Sequence, residues 1–433
     1  MEHTVTIRDE IGAYLTREGL SINRFALLSG IHSGTLSRIM KGQQSMAMSH
    51  LERITRSLGL AEDYFFTKYV EECLYHSAPT WRRIRPFILR SAQLGRLDCI
   101  ERLARSLLDN LLYAPLLFDL AEELFQQELH QPAAILFENV AVSEKYQHSE
   151  RLALCQYRLF QMALGDDPQR NLIVATLFEN YVTRLDEAYQ LDAIQQLVNV
   201  HYSLHNWEKA EELSQELHRL ASLQYKLRSR SDNKHSHKKT SEKPLFYYIL
   251  YAQLMRSCTY EERGDYKAAL ELVPLYTDGS WIQEKGEEVN RIVTQFKEWG
   301  TANTYLNRVM EGQQEVLEEY VDYVSTRENE IFTALYKIVE TANRFHWDVD
   351  HILKRFSAYI PYRRYTGIFT KRDKHVTDDQ HERFRSELAT YYLSRRRFGG
   401  HDISMHSVDF AAEVDHERNV IKGTISVGFE INM

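Results

Sequence analysis

Residues 21–42 read Ser-Ile-Asn-Arg-Phe-Ala-Leu-Leu-Ser-Gly-Ile-His-Ser-Gly-Thr-Leu-Ser-Arg-Ile-Met-Lys-Gly and contain two short amphipathic patterns at helical spacing. Ser21 is a residue type that caps helix N-termini, and an apolar stripe follows it. A turn at residues 30–32 leads into the second pattern, which ends at Gly42. The inward positions of the two patterns are Phe25, Ala26, Leu28, Leu36, Ile39 and Met40. The stretch therefore predicts two short helices joined by a three-residue turn.

This order of elements is that of a DNA-binding helix-turn-helix, in which Ala26 allows a close helix crossing and Ile31 fills the turn. A further helix is predicted on each side, and the later one begins with a capping box of Ser49 and Glu52. Residues 1–60 resemble the lambda-repressor-like (Cro/C1, or XRE) family. The resemblance rests on Ser21, Phe25, Ala26, Gly30, Ile31, Ser33, Leu36, Ser37, Arg38, Ile39, Lys41 and Gly42.

The polar face of the second helix is the surface that we expect to enter the DNA major groove. Arg38 is the long donor on this face and is suited to a bidentate contact with guanine, whereas Ser33 and Ser37 suit bases or phosphates. Gly34 stands where the family often has a longer, base-reading side chain. The alternative is that this face is only the solvated side of a small helical bundle. Phosphate contacts are expected from Asn23, Arg24 and Lys41.

Charge separates the two ends of the chain. The whole protein of 433 residues has a net charge of −8, but residues 1–60 hold 7 Lys and Arg against 5 Asp and Glu. The first segment is therefore the part with a positive balance, as a partner of double-stranded DNA requires.

Composition predicts an all-α protein, because 433 residues contain only 8 prolines and 18 glycines. The longest apolar run, 111–118, is too short to cross a bilayer, so no membrane partner is expected. Residues 1–10 lack the pattern of a secretion signal, and the four cysteines are scattered, which predicts a cytoplasmic, reduced protein. No phosphate-binding loop, dinucleotide fingerprint, zinc-protease motif or nucleophile elbow is present, so we expect neither an enzyme nor a cofactor.

Residues 257–270, Ser-Cys-Thr-Tyr-Glu-Glu-Arg-Gly-Asp-Tyr-Lys-Ala-Ala-Leu, match the pattern of a tetratricopeptide helical hairpin. Small residues stand where the paired helices touch, and Gly-Asp-Tyr forms the turn. Looser copies occur at 191–220 and 128–137, and the spacing between copies is irregular. We therefore predict a degenerate tetratricopeptide array forming a right-handed superhelix with a concave inner surface.

A helix-turn-helix followed by such an array resembles the RRNPP peptide-pheromone receptors (Rap, Rgg, NprR, PlcR and PrgX types), including the phage arbitrium receptors. The likeness also draws on residues 81–87, 144–153, 302–305, 312 and 318–320. It implies a cytoplasmic homodimer that binds double-stranded DNA and a short signalling peptide, and that is switched by the peptide. The implied division is a DNA-binding domain at 1–60, a linker helix at 61–78 and a peptide-binding and dimerisation domain at 79–433, with a mobile basic loop at 228–243.

Asparagines are the side chains that we expect to meet the backbone of an extended peptide, because each offers a donor and an acceptor. An asparagine in such a helix can instead bridge neighbouring helices or face solvent, and that alternative stays open. The candidates are the pair Asn303 and Asn307, one helical turn apart, the pair Asn199 and Tyr202, and the pair Asn343 and Arg344.

Three further alternatives remain. A Rap-like adaptor would use the array to bind and inhibit a partner protein under peptide control. His201 and His205 are four residues apart, but no third metal ligand is evident, so no metal is expected. Residues 402–433 fit either a final helical hairpin or β-strands.

Overall fold

The computed structural model describes five segments of the chain, and over them it is helical with no β-strand. The all-α prediction is therefore confirmed for this part of the protein. No helix in it combines the length and apolarity that crossing a bilayer demands. The alternatives for residues 402–433, and residues 231–240 of the basic loop expected at 228–243, lie outside the described residues, whereas residues 228–230 are helical. The described segments are 5–75, 79–147, 149–230, 241–360 and 374–398.

The described residues group into two compact units. The first lies within Met1–Ala163 and Tyr181–Leu185, and the second within Leu164–Asn180 and Asp186–Met433. The first unit contains α1 (Ile7–Arg17), α2 (Ile22–Ser29), α3 (Ser33–Met40), α4 (Met48–Ser57), α5 (Phe66–Tyr75), α6 (Trp81–Gln93), α7 (Leu97–Leu107), α8 (Ala114–Gln126), α9 (His130–Ser143) and α10 (Glu150–Ala163).

Local capping explains the ends of α2 as predicted. The Ser21 side chain accepts a hydrogen bond from the Arg24 N–H at 3.2 Å, and Gly30 ends the helix with φ of 64°. This left-handed conformation favours glycine, because other residues meet a steric penalty there.

The predicted capping box of α4 is wrong. The helix begins at Met48, so Ser49 already lies inside it, and the capping position is taken by Ala47, which has no side-chain acceptor. His50 Nδ1 instead accepts from the Ala47 N–H at 3.4 Å. The local hydrogen bond comes from the imidazole rather than from Ser49 and Glu52.

Helix α5 is shorter than the helix expected between residues 61 and 78. It begins at Phe66, because residues 62–65 form a turn in which the Phe66 N–H donates to the Asp63 carbonyl at 2.9 Å. Its inward side chains belong to the same apolar core as those of α1–α4. The completely buried residues of this segment are Phe65, Phe66, Tyr69, Val70 and Cys73.

Helical hairpins build the second unit. Helix α14 packs against α15, and Ser257 Oγ donates to the Ala269 carbonyl at 2.9 Å where these two helices touch. Ala210 on α13 is completely buried, and α13 packs against both α12 and α14. The helices are α11 (Pro168–Glu179), α12 (Glu187–Ser203), α13 (Trp207–Arg230), α14 (Leu245–Glu262), α15 (Tyr266–Thr277), α16 (Glu287–Met310), α17 (Leu317–Ser325), α18 (Glu328–Phe345), α19 (Asp350–Arg355) and α20 (Lys374–Phe398).

Gly300 lies where α16 comes close to α15. A Cβ atom there would overlap Thr277 Cγ2 and would lie 3.3 Å from Val273 Cγ1. We expect Gly300→Ala to lower the free energy of unfolding by about 1–3 kcal/mol, because these helices must move apart. Urea unfolding followed by circular dichroism measures the change.

Gly12→Ala in α1 is the matched control, because nothing lies within 4 Å of a Cβ atom at Gly12. There the substitution should raise stability by up to about 1 kcal/mol, the helix-propensity difference between alanine and glycine. Equal stabilisation by both substitutions would show that α15 and α16 are not in close contact.

Candidate functional site

The residues predicted to contact DNA lie on α2, on α3 and directly after α3. Leu36 and Ile39 are completely buried on the opposite side of α3, so its polar side faces outward. Ser37 and Gly34 are partly exposed. The exposed members of the set are Asn23, Arg24, Ser33, Arg38 and Lys41.

Gln44 is a neighbour of Arg38 that the sequence reasoning missed. Arg38 Nε donates to Gln44 Oε1 at 3.1 Å, and the Gln44 N–H donates to the Arg38 carbonyl at 3.2 Å. These bonds hold the guanidinium beside the turn that follows α3. The only sequence signal was a pair of glutamines just after Gly42, the residue that ends the helix.

Gly34 leaves room on the exposed side of α3. A Cβ atom there would meet only the His32 ring, at an ordinary contact distance of 3.4 Å. A Cβ atom therefore fits at this position without displacing backbone.

Arg8 connects three helices of the first unit. Its Nε donates to the Ile39 carbonyl of α3 at 2.8 Å, and its Nη2 pairs with Glu72 Oε1 of α5 at 2.8 Å. Glu72 is 5% exposed, so this ion pair is largely shielded from water. Tyr69 OH adds a hydrogen bond of 2.7 Å to the Met46 carbonyl. The carboxyl end of α3 is thereby held to α1 and α5.

The predicted peptide-binding asparagines make hydrogen bonds between helices. Asn307 is completely buried, and its Nδ2 donates to Glu261 Oε2 at 2.9 Å. Asn303 Nδ2 donates to Tyr276 OH at 3.1 Å. The bridging alternative thus describes both residues in this structure, and a contact with peptide stays a prediction.

The other two predicted pairs also have partners within the second unit. Asn199 Oδ1 accepts from Tyr251 OH, and Asn343 Nδ2 donates to the Glu387 carbonyl at 2.8 Å. The Tyr202 ring packs edge-on against Trp207 with centroids 4.9 Å apart. The Arg344 guanidinium lies over an aromatic ring, that of Tyr266, at 5.8 Å from the ring centroid.

The first helices of successive hairpins, α12, α14, α16 and α18, pack against one another in chain order. They share a set of hydroxyl, amide and charged side chains, which we call the polar row. Within it Gln195 Nε2 donates to Tyr247 OH at 3.2 Å, and the rings of Tyr247 and Tyr251 stack at 5.7 Å. The polar row consists of Gln195, Asn199, Tyr202, Tyr247, Tyr251, Glu261, Glu262, Asn303, Asn307, Lys337 and Glu340.

The charged end of the polar row has shifted proton affinities. Burial raises the pKa of Glu261 to about 7, and the ammonium of Lys337 offsets part of that effect. Burial by itself lowers the pKa of Lys337, but the carboxylates of Glu262, Glu340 and Glu261 together raise it. Lys337 therefore remains charged while Glu261 titrates near neutral pH.

The two histidines considered as metal ligands have other surroundings. His201 is buried, with Nε2 2.8 Å from Glu179 Oε1, and His205 stacks on Trp207 with ring centroids 5.0 Å apart. Across the five described segments, no three His, Cys, Asp or Glu side chains are grouped so as to hold a metal ion.

Comparison of the chain with protein-family models, curated proteins and solved structures finds no match.

The raised pKa of Glu261 predicts how stability depends on pH. The folded protein holds the Glu261 proton more tightly than the unfolded chain, so this contribution is complete below about pH 4.5 and is lost as pH rises to about 7. We expect wild-type stability to fall over this interval more steeply than that of Glu261→Gln, in urea unfolding at several pH values.

Glu216→Gln is the control, because Glu216 pairs with Arg219 on the surface of α13 and its pKa is lowered by that hydrogen bond. This variant should keep the fall in stability seen in the wild type. Identical pH profiles for the wild type and Glu261→Gln would show that Glu261 titrates as an ordinary glutamate.

Proposed function

We propose that this protein is a dimeric DNA-binding transcriptional regulator whose helical hairpins bind a short peptide that controls DNA binding. The observation that supports DNA binding is α3, which buries Leu36 and Ile39 and exposes Arg38 on its opposite side. In this proposal α2 and α3 form a lambda-repressor-like helix-turn-helix, and the second unit forms a tetratricopeptide-like superhelix.

The dimensions of α3 suit the major groove. An α-helix with its side chains is about 10–12 Å across, and the major groove of B-form DNA, about 12 Å wide, accepts a helix of this diameter. Arg38 would read a guanine edge, and Asn23, Arg24 and Lys41 would contact phosphates. One such helix covers a single half-site, which is why a dimer is proposed.

The polar row is the observation that supports the peptide-binding part of the proposal. An extended peptide presents unpaired N–H and C=O groups, and amide and phenol side chains pair with both kinds. Because the helices of the row follow one another along the second unit, they offer such groups at successive positions. Amides that now bridge helices, such as Asn199 with Tyr251, would exchange those partners for the peptide backbone.

Exposed leucines on α2 favour a second candidate function, that of the Rap-like adaptor. Leu27 is 75% exposed, and Leu28, which the sequence pattern wrongly predicted to face inward, is 57% exposed, as a protein-contacting surface requires. An adaptor would show no preference among DNA sequences, so selection of binding sites from random DNA by the full-length protein separates the two functions.

Arg38 and Lys41 should differ in their effects on DNA binding. On the site selected from random DNA, Arg38→Ala should cost about 1–3 kcal/mol and relax the preference at one base position. Lys41→Ala should weaken binding to selected and unrelated DNA alike and should reduce the salt dependence. Fluorescence anisotropy at several salt concentrations measures both effects. An equal loss on selected and unrelated DNA for Arg38→Ala would remove this residue from base reading.

Peptide and DNA should alter each other's affinity by the same factor. A ligand that prefers one conformation shifts the population toward it, and coupling between two sites is reciprocal, with typical factors of about 5–150. With a peptide selected for binding, we expect altered DNA affinity, the matching change in peptide affinity on adding DNA, and a changed small-angle scattering profile. Peptide binding that leaves DNA affinity and scattering unchanged would contradict the switch and favour the adaptor.

A further inference from the structure

The charged end of the polar row gathers three carboxyl groups around a single ammonium. Lys337 Nζ lies 3.7 Å from Glu262 Oε1 and 3.5 Å from Glu340 Oε2, and Lys337 itself is 9% exposed. Glu261 is the third carboxyl, close enough for its charge to raise the pKa of Lys337. One positive charge therefore faces three acidic groups. We call Glu261, Glu262, Glu340, Lys337 and Asn307 the Lys337 cluster.

Asn307 brings a second, independent feature to this cluster. Its side chain is completely buried and donates to Glu261 Oε2 at 2.9 Å and to the Asn303 carbonyl at 2.8 Å. Its Oδ1 is buried and accepts no hydrogen bond from any described residue. Glu340 Oε2 is also buried without a hydrogen-bond donor, although it lies within ion-pair distance of Lys337. Two buried acceptors thus lack donors.

Among the described residues, Lys337 is the cation whose charge acts on Glu261. The Cys258 thiol on α14 and the Tyr320 phenol on α17 are neutral, because burial, followed by the charge of Glu261, raises the pKa of each. Burial also raises the pKa of Tyr276 on α15 and of Tyr202 on α12. Arg344, one turn beyond Glu340 on α18, lies over the rings of Tyr266 and Phe345.

We propose that the Lys337 cluster binds a positively charged group of the ligand peptide, either a lysine or arginine side chain or the N-terminal ammonium. Such a group has N–H donors for Asn307 Oδ1 and Glu340 Oε2, and its charge balances the excess of carboxylates. A neutral peptide segment would leave that excess in place. This inference rests on the proposed peptide-binding function and specifies the chemistry of its ligand.

The test is affinity selection from two synthetic hexapeptide libraries, identical except that one has acetylated N-termini, on the full-length protein. Mass spectrometry identifies the enriched peptides. If a side chain binds, enriched peptides from both libraries share a lysine or arginine at one position. If the N-terminus binds, enrichment occurs from the free library and is lost from the acetylated one. Either result supports the proposal and distinguishes the two sources of charge.

Variants locate the effect at the cluster. Glu261→Gln combined with Glu340→Gln should weaken the best peptide by about tenfold or more, the size expected when a charged hydrogen-bonding partner is removed. The surface variant Glu216→Gln removes one carboxylate elsewhere in the unit, which matches Glu340→Gln alone, and should bind as the wild type does. Glu340→Gln alone provides the measurement if the double variant does not fold.

The negative outcomes are separable. Enriched peptides without a shared basic position, recovered equally from both libraries, would overturn the cation site and leave peptide binding intact. A basic position whose contribution survives in the folded variants would place the cation elsewhere and would also overturn the site. No enrichment from either library would overturn the proposed peptide-binding function together with this inference.

Discussion

The structure depends on the burial of one apolar face of each helix against its neighbours. Short helices are marginally stable alone in water, and most of the stability of a helix in a protein comes from this packing. In the second unit, small residues set the distance at which this burial happens. Gly300 brings α16 onto α15, Ala269 does the same for α14 and α15, and Ala210 lies at a further helix contact. Side chains that are polar and face the same contacts then become buried with the helices, and each of them needs a partner.

This need for partners explains the polar row. Between α12 and α14, and between α16 and α15, tyrosines and amides satisfy one another, as Asn199 does with Tyr251 and Asn303 with Tyr276. The same groups are those that an extended peptide would use, so binding would exchange internal hydrogen bonds for external ones at a small net cost. The Lys337 cluster is the part of the row where internal pairing is incomplete. Charge excess and unpaired acceptors coincide there.

In the first unit, hydrogen bonds of buried polar groups fix the orientation of α3. Arg8 joins the Ile39 carbonyl to Glu72, and the apolar side of α5 continues the core of α1–α4. The segment expected from sequence to be a linker helix is thus a packed element of this unit. A displacement of α5 would therefore shift the end of α3, which is the helix proposed to read DNA.

The sequence by itself predicted those features that depend on residues only a few positions apart. Serine caps, positive-φ glycines and apolar periodicity act within a few residues, so the helical class, the bounds of α2 and α3 and the exposed position of Arg38 followed from the sequence. The tertiary structure alone decided the partners of buried polar groups. Arg8 meets residues 31 and 64 positions away, and Asn307 meets Glu261 46 positions away. Such pairings depend on which helices pack together, which no local pattern records, so the sequence left open whether Asn303 and Asn307 bridge helices, and the structure shows that they do.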